Sequence, residues 1–135
     1  MREILFRGKC VYSGEWVYGH FYESRGNGKN VYRIYDGNIF KHYTVHVETV
    51  GQFTGLYDKN GKRIFEGDIV KHYNHSDDGF DIGALYWDEN FSQWKRTSIG
   101  NFHDRTFTYT MSRYCEYEVI GNIHDNPELL KGGGE

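Results

Sequence analysis

Apolar and polar positions alternate along most of this chain, with the period of a strand rather than a helix. Glu15 to Glu23 shows it best. Trp16, Tyr18, His20 and Tyr22 share one face, and Val17 and Phe21 share the other. Arg2 to Lys9 precedes it as a first strand, with Leu5 opposite Ile4 and Phe6, and Cys10 to Gly14 turns the chain. Ser24 to Asn30 is polar and reads as a mobile loop. Val31 to Tyr35 resumes as a strand, Asp36-Gly37-Asn38 turns it, and Ile39 to Val47 is another strand.

The strongest folding signal is Val50 to Val70, VGQFTGLYDKNGKRIFEGDIV. Val50, Phe53, Leu56 and Tyr57 lead into a turn, and Ile64, Phe65, Ile69 and Val70 lead out. Between them lies Asp58-Lys59-Asn60-Gly61. Asp suits the first position of a type I turn, and Gly the last, where φ turns positive. The pattern predicts a hairpin with a glycine bulge.

Further strands are predicted at Glu66 to Lys71, Phe80 to Trp87, Phe91 to Lys95, Arg105 to Met111 and Tyr114 to His124. Asn74 to Gly79 is a polar loop, and Asp88-Glu89-Asn90 is a tight connection. Thr97 to Asp104 reads as irregular. Ile120-Gly121-Asn122 echoes Val50-Gly51-Gln52, either as a vestigial repeat or as two similar strand bends. Asn126 can cap a turn of helix with Pro127 at its first position. Lys131 to Glu135 is expected to be disordered.

Composition supports a β protein. The chain has 135 residues, of which 18% are aromatic, with 17 glycines and one proline. Aromatic-rich, glycine-punctuated chains suit strands and tight turns. The fold expected is mostly β: an N-terminal meander over residues 1–57, packed on a small SH3-like barrel over 58–126, where Glu66-Gly67-Asp68 opens a β-run. A short helical turn and tail, 127–135, close the chain. No apolar run reaches the ~20 residues that span a bilayer. Cys10 and Cys115 are too few for a disulfide framework, and both are read as reduced thiols of a cytoplasmic protein.

Net charge is -3, which gives no general attraction to duplex DNA. Its distribution is uneven: Met1 to His72 carries a net +3 and Tyr73 to Glu135 a net -6. That asymmetry, and strand edges that one proline cannot guard, suggest a homo-oligomer.

Four segments carry a family resemblance. They are MREILFRGK, GEWVYGHF, VGQFTGLYDKNGKRIFEGDIV and EVIGNIHDNPELL, in this order from Met1 to Leu130. Together they resemble the YopX family. The resemblance implies a small protein of phages and prophages, with no established activity and no catalytic residues to carry over.

Constellations of chemistry are sparse. On a strand, His42 and His46 would stand about 13 Å apart, too far to share an ion. His72 and His75 flank a loop and could converge with Asp77 or Asp78, but surface histidines are the default, so no metal and no cofactor is expected. Glu66 with Asp68 fits a turn cap. Asp77 with Asp78 is read as solvated. No group has a partner that would tune it for acid–base work, so the chain is read as non-enzymatic.

Aromatic residues are the better candidates. Trp87, Phe91 and Trp94 cluster around one turn. Trp16 and Trp87 are expected mainly as core, whereas Trp94, among Gln93, Lys95 and Arg96, is expected as a surface anchor. The candidate binding set is Trp94, Arg96, Arg63, Arg33, Arg105 and Trp16. The function expected is an accessory protein that binds a host bacterial protein, for example a defence factor. One alternative is an oligomeric pocket that sequesters a small nucleotide signal. The other is a module for single-stranded nucleic acid.

Overall fold

The computed structural model describes residues 3–38, 41–74, 79–99, 106–112 and 115–131. Ten strands follow one another: β1 (Phe6–Cys10), β2 (Trp16–Gly26), β3 (Lys29–Tyr35), β4 (His42–Tyr57), β5 (Arg63–Phe65), β6 (Asp68–Asn74), β7 (Gly79–Asp88), β8 (Gln93–Ile99), β9 (Thr106–Thr110) and β10 (Tyr117–Asn122). A 3₁₀ turn, Pro127–Leu130, follows with its proline in the first turn. The chain divides into two compact units, Met1–Phe53 and Thr54–Glu135. The division falls within β4, ahead of the turn at Asp58.

In the first unit β1 pairs with β2, β2 with β3 and β3 with β4, and β4 returns to β1. All the pairs are antiparallel. Four strands therefore close into a small barrel. The mostly β class and a small barrel agree with the sequence. The ring of pairings lies in residues read there as the meander. Closure also pairs the edges that the sequence left open on Val31 to Tyr35 and on β4.

Inward positions of this barrel are small or apolar. Cys10, Ile34, Val45 and Phe53 are buried. Phe21 lies 5.8 Å from Phe6 and stacks on Tyr32. Gly8 suits the close packing of the closed barrel, because a Cβ there would crowd Val45 at 3.1 Å and Ile34 at 3.2 Å. The expected loop at Ser24 to Asn30 is instead a continuation of β2 and β3. Asn27 and Gly28 turn it at φ 54° and 77°, as a two-residue I′ hairpin requires.

The second unit holds the sheet β10-β6-β7-β8-β9, while β5 pairs with the end of β4. Ile64, Val70, Leu85, Met111 and Tyr117 form its core, with Leu56, Trp94 and Val119 packed against them. The Asp58 turn forms as the sequence predicts, with Gly61 at φ 81°. Strand β8 runs on to Ile99, through part of the segment read as irregular. The two Gly–amide echoes are both bends: the register slips just ahead of Gly51 in the β1–β4 pair and just ahead of Gly121 in the β10–β6 pair.

Candidate functional site

The turn end of the β7–β8 hairpin carries two exposed aromatic rings, Trp87 and Phe91. Asp88 shapes its turn by accepting the amides of Asn90 and Phe91 on one carboxylate oxygen, at 2.9 and 3.4 Å. Trp87 and Trp94 are cross-strand partners. Their rings lie 5.0 Å apart at 67°, edge to face, a favoured aromatic geometry. Trp94 packs on the core below. Trp87 is 41% exposed and Phe91 65% exposed. On the other face Lys95 pairs with Asp88 at 2.8 Å and lies 4.3 Å from the Phe91 ring centre. The Lys95 hydrogen bond holds the Asp88 carboxyl below its ordinary range.

These placements reverse the sequence reading of two tryptophans. Trp94 is the half-buried base and Trp87 the exposed ring. The charged neighbours of Trp94 misled because the strand alternates: Lys95 lies on the opposite face. Arg96 does share the face of Trp94, but it is buried at 3% exposure. Its guanidinium reaches Asp81 at 2.5 Å and His72 Nδ1 at 3.1 Å. Guanidinium only donates, so that imidazole nitrogen accepts. His72 also lies against the Tyr117 ring at 5.3 Å. Burial pushes the Tyr117 phenol up. Arg96 is thus the centre of an internal polar cluster rather than an exposed hand.

Arg63 is exposed at the start of β5 and lies 6.0 Å from the ring of Tyr57. Nearby is a cavity of about 370 Å³ lined by Gly55, Leu56, Tyr57, Ser112 and Tyr117. Arg105, His75, Asp77 and Asp78 lie outside the described residues.

Trp16 and Arg33 fall on one face of the first unit. Strand pairing sets Arg7 beside Tyr18, Lys9 beside Trp16, His20 beside Tyr35, Tyr22 beside Arg33 and Tyr35 beside His42. Residues paired across antiparallel strands share a face, and so do alternate residues along a strand. All of these therefore lie on the outer side of the barrel, where Arg7 alone of them is buried. The guanidinium of Arg7 and the ammonium of Lys9 lie 4.7 and 5.7 Å from the Trp16 ring centre. Tyr35 stacks on His42 at 4.7 Å, and the Tyr22 hydroxyl meets His42 Nδ1 at 2.7 Å. The alternation in β2 announced this face. The contributions of β3 and β4 depend on a register that sequence alone does not set.

A family model, YopX protein, matches residues 5–131. The chain belongs to the YopX family. No curated protein matches it. Among solved structures it is similar to protein EF1440 from Enterococcus faecalis, known from a crystal structure. The identity is 23% over 97% of this chain and 100% of that one, with a TM-score of 0.47.

What this YopX chain can do chemically follows from what is exposed. Cys10 is buried, and the Ser13 hydroxyl beside it holds its thiol below the ordinary range. Cys115 is exposed. Among the described residues no group of three His, Cys, Asp or Glu is placed to hold a metal. No described helix is long and apolar enough to cross a membrane. Rings with adjoining cations, on a rigid sheet, are equipment for recognition.

Proposed function

We propose that this YopX chain acts by binding, as an accessory protein of a phage or prophage whose partner is a host protein such as a defence factor. The observation that carries the reading is the β7–β8 tip, where Trp87 is exposed beside a Trp94 that packs on the core and Phe91 is exposed at the turn, against Lys95 on the other face. Large rings held on a rigid support lose little entropy on docking and dominate interface energies. Lys95 at this tip is neutralised by Asp88, which favours an apolar protein surface over an anion.

A photo-crosslinking residue in place of Phe91 tests the idea in host lysate. The captured protein is then purified and titrated against the native chain by calorimetry. The double variant Trp87→Ala, Phe91→Ala should lose about thirtyfold or more in affinity, the scale of a hot spot. It should remain folded, with a melting temperature only several degrees below that of the native chain. Undiminished affinity in that variant would overturn the proposal.

A further inference from the structure

We propose that the outward face of the N-terminal barrel binds single-stranded nucleic acid. The centre of the face is Tyr22, Arg33, Tyr35 and His42, with His20 and Tyr18 beside them. Cross-strand pairing brings them together from β2, β3 and β4. His20, His42 and Tyr18 are exposed, and Tyr22, Arg33 and Tyr35 are half-buried. The proposal rests on a different surface and a different ligand from the β7–β8 tip.

Three observations favour this occupant. First, the rings stand on a sheet, and so are fixed by a closed set of backbone pairings rather than by a loop. Every base offers a flat face to such rings, whatever the sequence. Second, the charges suit a polyanion. The outward positions of this face include Lys9, Arg33 and the imidazoles of His20, His42 and His46, with Arg7 buried against the Trp16 ring and one carboxylate, Glu48, at the edge beside His46. The net -3 of the whole chain is carried elsewhere, since the half from Met1 to His72 is net +3. Third, rings outnumber exposed cations on this face. An acidic peptide would use the cations and leave Tyr18, Tyr22 and Tyr35 idle, whereas bases use both. The distance along β2 from Trp16 to Tyr22 is about 20 Å at ~3.3 Å per residue, enough for a short strand of nucleotides.

Fluorescence anisotropy with fluorescein-labelled oligothymidylate and oligouridylate, at low and physiological salt, tests this on the full chain. Binding should be salt-dependent and should not be displaced by duplex DNA. Tyr35→Ala should weaken it about five- to a hundredfold, as loss of one stacking ring does. Arg33→Gln should lower the slope of log K against log salt by about 0.7, the value for one single-strand phosphate contact. Trp87→Ala with Phe91→Ala should bind the oligonucleotides like the native chain, which separates this surface from the protein-docking tip. Amide shifts of the native protein, titrated with oligothymidylate, should centre on residues 18, 20, 22, 33, 35 and 42, whether or not any variant folds. Three results would each overturn the proposal: no binding to either probe, shifts centred elsewhere, or displacement by polyglutamate as complete as by unlabelled oligonucleotide.

Discussion

One carboxylate oxygen of Asp58 accepts the amide of Val119 at 3.0 Å, across 61 positions of sequence. Its other oxygen accepts the amides of Asn60 and Lys62, at 2.8 and 2.9 Å. The same side chain therefore shapes the turn and ties it to β10. Beside it, the Lys59 amide donates to the Tyr117 carbonyl at 2.8 Å. Asp58 is buried, so water cannot readily replace these bonds. Asp58→Ala should destabilise the fold by about 3 kcal/mol or more, since each buried donor left unsatisfied costs ~1–3 kcal/mol. Urea denaturation measures this. A loss no larger than that of an exposed substitution would mean the contact to Val119 matters little.

Two glycines should fail for different reasons. Gly61 has φ 81° but open space around a Cβ. Only backbone strain opposes substitution there, so Gly61→Val should cost roughly 1 kcal/mol or more. Gly61→Asn should be milder, because Asn tolerates this region. At Gly19 a Cβ would sit 2.1 Å from the Tyr35 carbonyl oxygen. That atom is backbone in the paired strand and cannot swing aside. Gly19→Ala should therefore lower the melting temperature more than Gly61→Ala, and the reverse order would contradict this account.

Much of the fold was legible because strand period and turn chemistry are local. Asp58 to Gly61 and the alternation of β2 needed only neighbouring residues. Register is not local. That Trp16 and Arg33 share a face follows from pairings among β1, β2 and β3. The Asn27-Gly28 signal was present in the sequence, but the polar run around it suggested a loop instead. Arg96 was misplaced for another reason. A charged residue in a strand looks exposed unless its buried partner is known, and Asp81 is 15 positions away.

The Arg96–Asp81 pair makes a specific stability claim. Arg96 is buried, while the Asp81 side chain is 26% exposed. Removing one partner leaves a charge without its counterpart, a change costing ~3–5 kcal/mol when both are deeply buried. Solvent at Asp81 reduces this, so Asp81→Ala should cost about 2 kcal/mol. Adding Arg96→Met to Asp81→Ala should recover part of the loss, since an apolar side chain of similar length can fill the site. A double variant less stable than Asp81→Ala alone would show that His72 and the surrounding polar groups hold Arg96 in place without Asp81.

Acid should loosen the hairpin tip. The hydrogen bond from Lys95 lowers the Asp88 carboxyl below its ordinary value of 3.8. A group lowered in the folded state stabilises fully above its unfolded value and loses that contribution as pH falls through the folded one. The tip is therefore intact at neutral pH, and the ion pair is lost below about pH 4. Tryptophan fluorescence should report a step in that range through Trp87 and Trp94. Asp88→Asn should abolish the step, and a step unchanged in that variant would assign it to another carboxylate.

Trp87 and Trp94 touch each other yet should respond differently to truncation. Trp94 is half-buried and packs against the core cluster of Ile64, Val70, Leu85, Met111 and Tyr117. Its loss opens space beside a closed core, so Trp94→Ala should cost about 2 kcal/mol or more, less than the 3–5 kcal/mol of a fully buried ring. Trp87 is largely above that core. Trp87→Ala forfeits the edge-to-face contact, worth ~0.5–1.5 kcal/mol, and little else. Denaturation should thus show Trp94→Ala to be the more damaging of the two. Partner affinity should rank them differently: Trp87→Ala weakens binding in a protein that remains folded. Trp94→Phe, which keeps a ring on the core, should restore most of the stability lost in Trp94→Ala. Equal destabilisation by Trp87→Ala and Trp94→Ala would mean that Trp87 is part of the core after all, and the tip would then lose its claim as a docking surface.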